Sequence, residues 1–259
     1  MASTGEECRA DGSPLGPAGA ADGGFEALRA AIHGYDGGAA ERLDAAVHRY
    51  RRGISAQVTG RAGVGRSAVL AALAGVGATV ELVESEAWDV PGTSDPELTG
   101  EVVVLVLAGP PRPADLRAAR AAPPRSLAVL NKSDALDDPA ALAAAAGSEL
   151  GLVCLPVSAC AGPDGDGDGV DVARAAVRGL VDAVRADRAA AVLSVLRGLT
   201  GMATARDDVE AYLAGDAGVR LAADSHRSSA EGRAPDLERA DLARRRNRVR
   251  AGERRVGHA

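Results

Sequence analysis

The stretch Ile54-Ser55-Ala56-Gln57-Val58-Thr59, continuing into Gly60-Arg61-Ala62-Gly63-Val64-Gly65-Arg66-Ser67, decides how this chain is read. Its first half is a short β run. Its second half is a glycine-rich turn, and Ser67–Ala74 beyond it has a helical texture. A strand that turns through glycines into a helix can curl successive backbone N–H groups toward one anion. The helix N-terminus adds partial positive charge there. The same kind of turn also occurs for packing reasons alone.

Working outward, four more apolar runs have strand length: Thr79–Val83, Glu101–Ala108, Ser126–Leu130 and Leu152–Val157. Ala-rich helical segments near 113–121 and 138–147 lie between the later runs, and a long helix is expected near 170–197. Short strands buried on both faces and alternating with helices predict an α/β fold: a mostly parallel sheet of about five strands with flanking helices. Residues 1–24 are poor in large apolar side chains and read as disordered. Helical stretches are expected near 25–33 and 39–52, and one short helix within 203–222. The organisation expected is a mostly disordered arm at 1–38, a leading helix at 39–52, the α/β domain at 53–198 and a helical, charged extension at 199–259.

Composition narrows the function classes. The chain has 259 residues, 46% hydrophobic and 25% charged, which suits a globular domain with tails. Aromatic residues are 2%, so stacking platforms for bases or sugars are not expected. The formal net charge of −6 disfavours a general polyanion-binding surface. Residues 236–255 are the exception, with a net +4 that leaves −10 for the rest. That Arg-rich tail could engage RNA, the ribosome or a protein partner, although a solvated charged helix is the plainer reading. Cys8, Cys154 and Cys160 lack metal spacing, and no secretory signal or membrane-spanning run is visible, so a cytoplasmic setting is expected.

The loop fits G-x-x-x-x-G-K-[ST] with one departure: Arg66 stands where the lysine belongs. Ser67 stands where a hydroxyl would hold Mg²⁺. Arginine is longer, planar and forked, so it is no equivalent of lysine in a tight site. Either Arg66 clamps phosphate with altered geometry and slower chemistry, or the loop has lost nucleotide.

Asn131-Lys132-Ser133-Asp134 follows the run Ser126–Leu130 directly. It resembles the N-K-x-D motif of Ras-like, translation-factor-related P-loop GTPases. Lys132 is the only lysine in a chain whose Arg bias reads as GC-rich coding of bacterial type. Ser158-Ala159-Cys160 follows the last strand and resembles the family's S-A-K, with Cys160 in place of lysine. Asp89-Val90-Pro91-Gly92 resembles its D-x-x-G in the form used by Era-like GTPases, though it is also a good turn by itself.

The resemblance covers about half of the chain and implies a P-loop NTPase three-layer sandwich that binds GTP or GDP with Mg²⁺. It implies that Gly60, Gly63, Gly65, Arg66 and Ser67 surround the phosphates. Asp134 would accept from guanine N1–H and the N2 amino group. Asn131 would tie the base loop to the phosphate loop, and the stem of Lys132 would lie along the base. In the Ser158-Ala159 turn of the nucleotide site the Ala159 N–H would meet guanine O6, the Gly92 N–H would meet the γ-phosphate, and Ser67 and, through water, Asp89 would hold the metal. Only 22 residues separate Ser67 from Asp89. The switch threonine and the extra strand of the family are therefore not expected; Thr93 follows Gly92 where some members keep a catalytic glutamine, and no catalytic residue is assigned. A guanine-nucleotide switch with slow or partner-dependent hydrolysis is expected. The alternatives are a degenerate pseudo-GTPase acting as a scaffold and an RNA- or ribosome-binding protein that works through the tail.

Asp164-Gly165-Asp166-Gly167-Asp168-Gly169 imitates the start of a calcium loop, but position 12 is Ala175 rather than a bidentate Glu. It reads as a flexible acidic linker.

Overall fold

The computed structural model describes residues 18–159 and 167–226. The N-terminal residues 1–17, the start of the calcium-like stretch with Cys160, and the Arg-rich tail lie outside the described residues. The chain divides into two compact units.

The larger unit spans 47–192 together with 223–233. Its strands are β1 (Ile54–Gly60), β2 (Val80–Glu84), β3 (Val102–Leu107), β4 (Ser126–Leu130) and β5 (Cys154–Pro156). All pairings are parallel and the order is β2-β1-β3-β4-β5. Among the described residues β2 is the only strand between Ser67 and Asp89, as that short interval predicts. In chain order the helices are α1 (Ala18–Tyr35), α2 (Gly37–Arg51), α3 (Arg66–Ala72), α4 (Pro113–Ala121), α5 (Pro139–Leu150), α6 (Val170–Leu199), α7 (Arg206–Ala214) and α8 (Asp216–His226).

Strand alternation sorts the core into two layers. Val104 and Val106 of β3 and Leu127 and Val129 of β4 face α3 and α6, where Val69, Leu73, Val177 and Val181 are buried. Leu105 and Leu107 of β3 and Ala128 and Leu130 of β4 face α4 and α5, where Ala114, Ala118, Ala143 and Ala146 are buried. Every residue of β3 and β4 is buried. Each fully buried Val or Leu contributes roughly 1.5–3 kcal/mol. Burial, more than strand propensity, therefore explains why the sheet is all-parallel and covered on both faces.

Arg188, on α6, closes the amino end of the sheet. It donates to both carboxylate oxygens of Glu101, and to the carbonyls of Arg52 and Gly53 just before β1. Its side chain is 10% exposed and that of Glu101 28%. Removing one partner of a largely buried pair strands the other. Arg188→Ala is expected to lower unfolding stability by about 2–4 kcal/mol, read from urea unfolding. A loss within error would show that the network is idle.

The smaller unit comprises 1–46, 193–222 and 234–259. Phe25, Leu28 and Ile32 line the buried face of α1, and the Phe25 ring meets Tyr212 of α7 edge-on at 6.5 Å. The expectation of a mostly disordered arm over 1–38 is corrected for 18–35, which form α1; its residues 1–17 lie outside the described residues. The Gly- and Ala-rich 18–24 segment has weak propensity by itself. It is carried as the first turns of a helix whose 25–32 face is packed. The single helix expected at 203–222 is two, α7 and α8. They meet so closely that a Cβ on Gly218 would lie 2.5 Å from the Leu213 backbone. No helix among the described residues is long and apolar enough to cross a membrane.

Candidate functional site

Because all five strands are parallel, the loops after β1, β4 and β5 gather at one edge of the sheet. In sheets of this order the connections leave β1 and β3 in opposite directions and open a crevice between their carboxyl ends. The Gly60 turn crosses there. A Cβ on Gly60 would sit 2.6 Å from the Val106 carbonyl oxygen of β3.

Asn131 is the hub of this edge. It is 1% exposed. Its Nδ2 donates to the Val64 carbonyl at 3.0 Å, and its Oδ1 accepts the Ala159 N–H at 3.1 Å. One side chain thus joins the loops after β1, β4 and β5. Lys132, exposed and in the left-handed region at φ 62°, donates from Nζ to the Gly63 carbonyl at 3.1 Å. The Asp134 carboxylate is exposed, and one of its oxygens accepts the buried Ser158 hydroxyl at 2.7 Å. Ser158 therefore limits rotation of a carboxylate that otherwise faces solvent.

The carbonyls of Gly63 and Val64 both point toward the Asn131-Lys132 loop. In a planar trans peptide the following N–H points the other way. The N–H groups of Val64 and Gly65 are therefore turned to the opposite side of the loop, the arrangement of an anion cradle. Gly65, at φ 91°, is held close under Asn131: a Cβ there would lie 2.3 Å from Nδ2. Helix α3 is only seven residues long, so its dipole adds little.

Arg66 is turned away from the cradle. Its Nη1 donates to the Ser85 carbonyl, and its Nη2 lies 3.6 Å from Glu84 Oε1 at the end of β2. Ser67 is exposed. Asp89 has φ 61° and its Oδ1 lies 3.6 Å from Nη2 of Arg117 on α4. Its N–H donates to Asp95 at 3.2 Å. Gly92, at φ 80°, is the third residue of a turn in which the Thr93 N–H bonds the Val90 carbonyl at 3.1 Å. Pro91 before it gives this turn the type II signature, so the D-x-x-G stretch has a local structural role.

Mg²⁺ held with nucleotide phosphates needs only one or two protein ligands. The Ser67 hydroxyl fits that role. The Asp89 side chain is 63% exposed, and its surface pair with Arg117, at 3.6 Å, does not bar its carboxylate from the same role. Among the described residues, no group of three or more His, Cys, Asp or Glu side chains could hold a metal by itself.

Several residues near the site have no motif to announce them. Arg61, inside the loop, donates from Nε to both oxygens of Asp115 at 3.0 Å. Asp115 is 1% exposed and also accepts the Arg112 N–H at the start of α4. In sequence, Pro113-Ala114-Asp115 signals only a helix start. Thr59 accepts from both the Ser85 hydroxyl and Trp88 Nε1, at 2.7 and 2.8 Å. Trp88, the only tryptophan of the chain, also bridges to Arg61. Cys154 on β5 is no reactive thiol, since burial pushes it up to about 11.

No family model matches the chain, and no curated protein matches it in sequence.

Proposed function

We propose that this chain is a guanine-nucleotide-binding protein of the P-loop GTPase type, with its nucleotide at the carboxyl ends of β1, β4 and β5. The observation that carries this reading is the Asn131 latch, which joins the glycine loop, the Asn131–Asp134 loop and the Ser158-Ala159 turn through one buried side chain. Three separate stretches that resemble one family's motifs meet at that latch. Asp134, braced by Ser158, offers a carboxylate to guanine N1–H and its amino group. Adenine presents an acceptor at N1 and no amino group at C2, so the same carboxylate rejects it.

The chemistry of hydrolysis is less well provided for. Metal and nucleotide, when bound, would supply the charge neutralisation that phosphoryl transfer needs. Of this chain's own groups, Arg66 is engaged by Ser85 and Glu84. Those two contacts favour a second reading of the turnover step: slow or partner-dependent hydrolysis, or a pseudo-GTPase that binds nucleotide and serves as a scaffold.

Equilibrium titration of the intact chain with GDP, GTP and ATP tests the proposal. The fluorescence of Trp88 is a built-in reporter next to the loop. Guanine nucleotides are expected to bind at micromolar strength and ATP at least about 100-fold more weakly. Asp134→Ala is expected to abolish the difference. Equal affinity for ATP, or an unchanged affinity in Asp134→Ala, would remove guanine recognition from this site.

A further inference from the structure

Arg66 is the cation that the loop would offer a terminal phosphate, and it already has two partners, the Ser85 carbonyl and the Glu84 carboxylate. Both are firmly placed. Ser85 donates its N–H to the Val58 carbonyl at 3.0 Å and its hydroxyl to Thr59 at 2.7 Å. Glu84 stands opposite Val58 in the β1–β2 register. Alternation along β2 puts Glu84 on the same face as Val80 and Leu82, which pack against the core that contains α3. The Arg66 side chain is consequently only 16% exposed, and that of Glu84 31%.

Resting on the guanine-nucleotide reading above, we infer that this site takes the diphosphate in preference to the triphosphate, and that Glu84 sets the preference. The charges of a diphosphate are met by the N–H groups of the loop, which leaves the Arg66–Glu84 pair intact. A third phosphate adds negative charge and draws on the same guanidinium. Taking Arg66 from Glu84 frees a carboxylate beside the incoming anion, and two like charges then compete for one cation. The forked guanidinium is held at two points, Ser85 and Glu84.

The test is the binding of GDP and GTP to the intact chain and to Glu84→Gln, each with EDTA and with Mg²⁺. Glutamine keeps the shape of the side chain and removes only its charge. In wild type, GDP is expected to bind at least about tenfold more tightly than GTP. In Glu84→Gln the GTP affinity is expected to rise until the two lie within about threefold, with GDP unchanged within about twofold. Equal affinities in wild type, a preference for GTP, or a preference that survives in Glu84→Gln would overturn the role of Glu84 while leaving the guanine site standing. Failure of every guanine nucleotide to bind either protein would overturn the guanine-nucleotide reading and this inference together.

Discussion

Asn131→Ala is expected to lose guanine-nucleotide binding by at least about 100-fold and to lower stability by about 2–4 kcal/mol. The two effects have one origin. Asn131 is almost fully buried and supplies a donor to Val64 and an acceptor to Ala159. Truncation leaves a carbonyl and an N–H unpaired at the carboxyl edge of the sheet, each costing about 1–3 kcal/mol. The Val64 carbonyl is then free to turn, and the Gly65 N–H turns with it because the peptide is planar. The base loop loses its tie to the phosphate loop at the same moment. Titration with GDP and urea unfolding read the two consequences separately. A variant destabilised as stated but binding GDP with wild-type affinity would sever the latch from nucleotide recognition.

The second large effect comes from a pair of glycines in the same loop. Gly65→Ala is expected to destabilise the protein by about 2 kcal/mol more than Gly63→Ala. Both residues lie in the left-handed region, at φ 91° and 79°, so both substitutions carry the same kind of backbone strain. They differ in what the new methyl meets. At Gly65 it would lie 2.3 Å from Asn131 Nδ2, and at Gly63 nothing lies within 4 Å. Asn131 must move to admit the methyl added at Gly65, and in moving it gives up Val64 or Ala159. The two changes should therefore be non-additive: in an Asn131→Ala background, Gly65→Ala should cost no more than Gly63→Ala. Equal losses for the two single variants in urea would mean that the close approach of Gly65 to Asn131 is unimportant.

Much of the α/β unit is legible residue by residue. Ser126–Leu130 and 113–121 are the elements expected, and β1, β2, β3 and β5 lie within a residue or two of their apolar runs. These segments are short, apolar and bounded by Gly, Pro or Asp, so burial and termination point the same way. The helical unit is harder to read. Nothing local in 18–24 marks a helix, and that segment depends on what packs against the rest of α1. The break between α7 and α8 does carry a local signal, the extended Gly215 followed by Asp216, which the expectation of one helix over 203–222 passed over.

The site divides along the same line. The resemblance of Asn131–Asp134 to a family motif implies a tie between Asn131 and the glycine loop, and Asn131 does bond Val64. No motif announces the partners of Arg66 and Asp89. Arginine and aspartate carry long-range charge, and which opposite charge they find depends on strand register and helix placement. Glu84 reaches Arg66 because β2 runs in register beside β1. Arg117 reaches Asp89 because α4 begins after β3, the neighbour of β1 on its other side.

The order of residues along the chain is enough to dictate the kind of sheet, the positions of its strands and the glycine turn at its edge, because hydrophobic period and backbone freedom are local properties of the residues that carry them. Which polar groups meet at that edge is a matter of three-dimensional packing: Asn131 with Val64 and Ala159, Arg61 with Asp115, and Arg66 with Glu84. An ion pair or a hydrogen bond between distant segments exists only once the parallel sheet has brought their ends to one place.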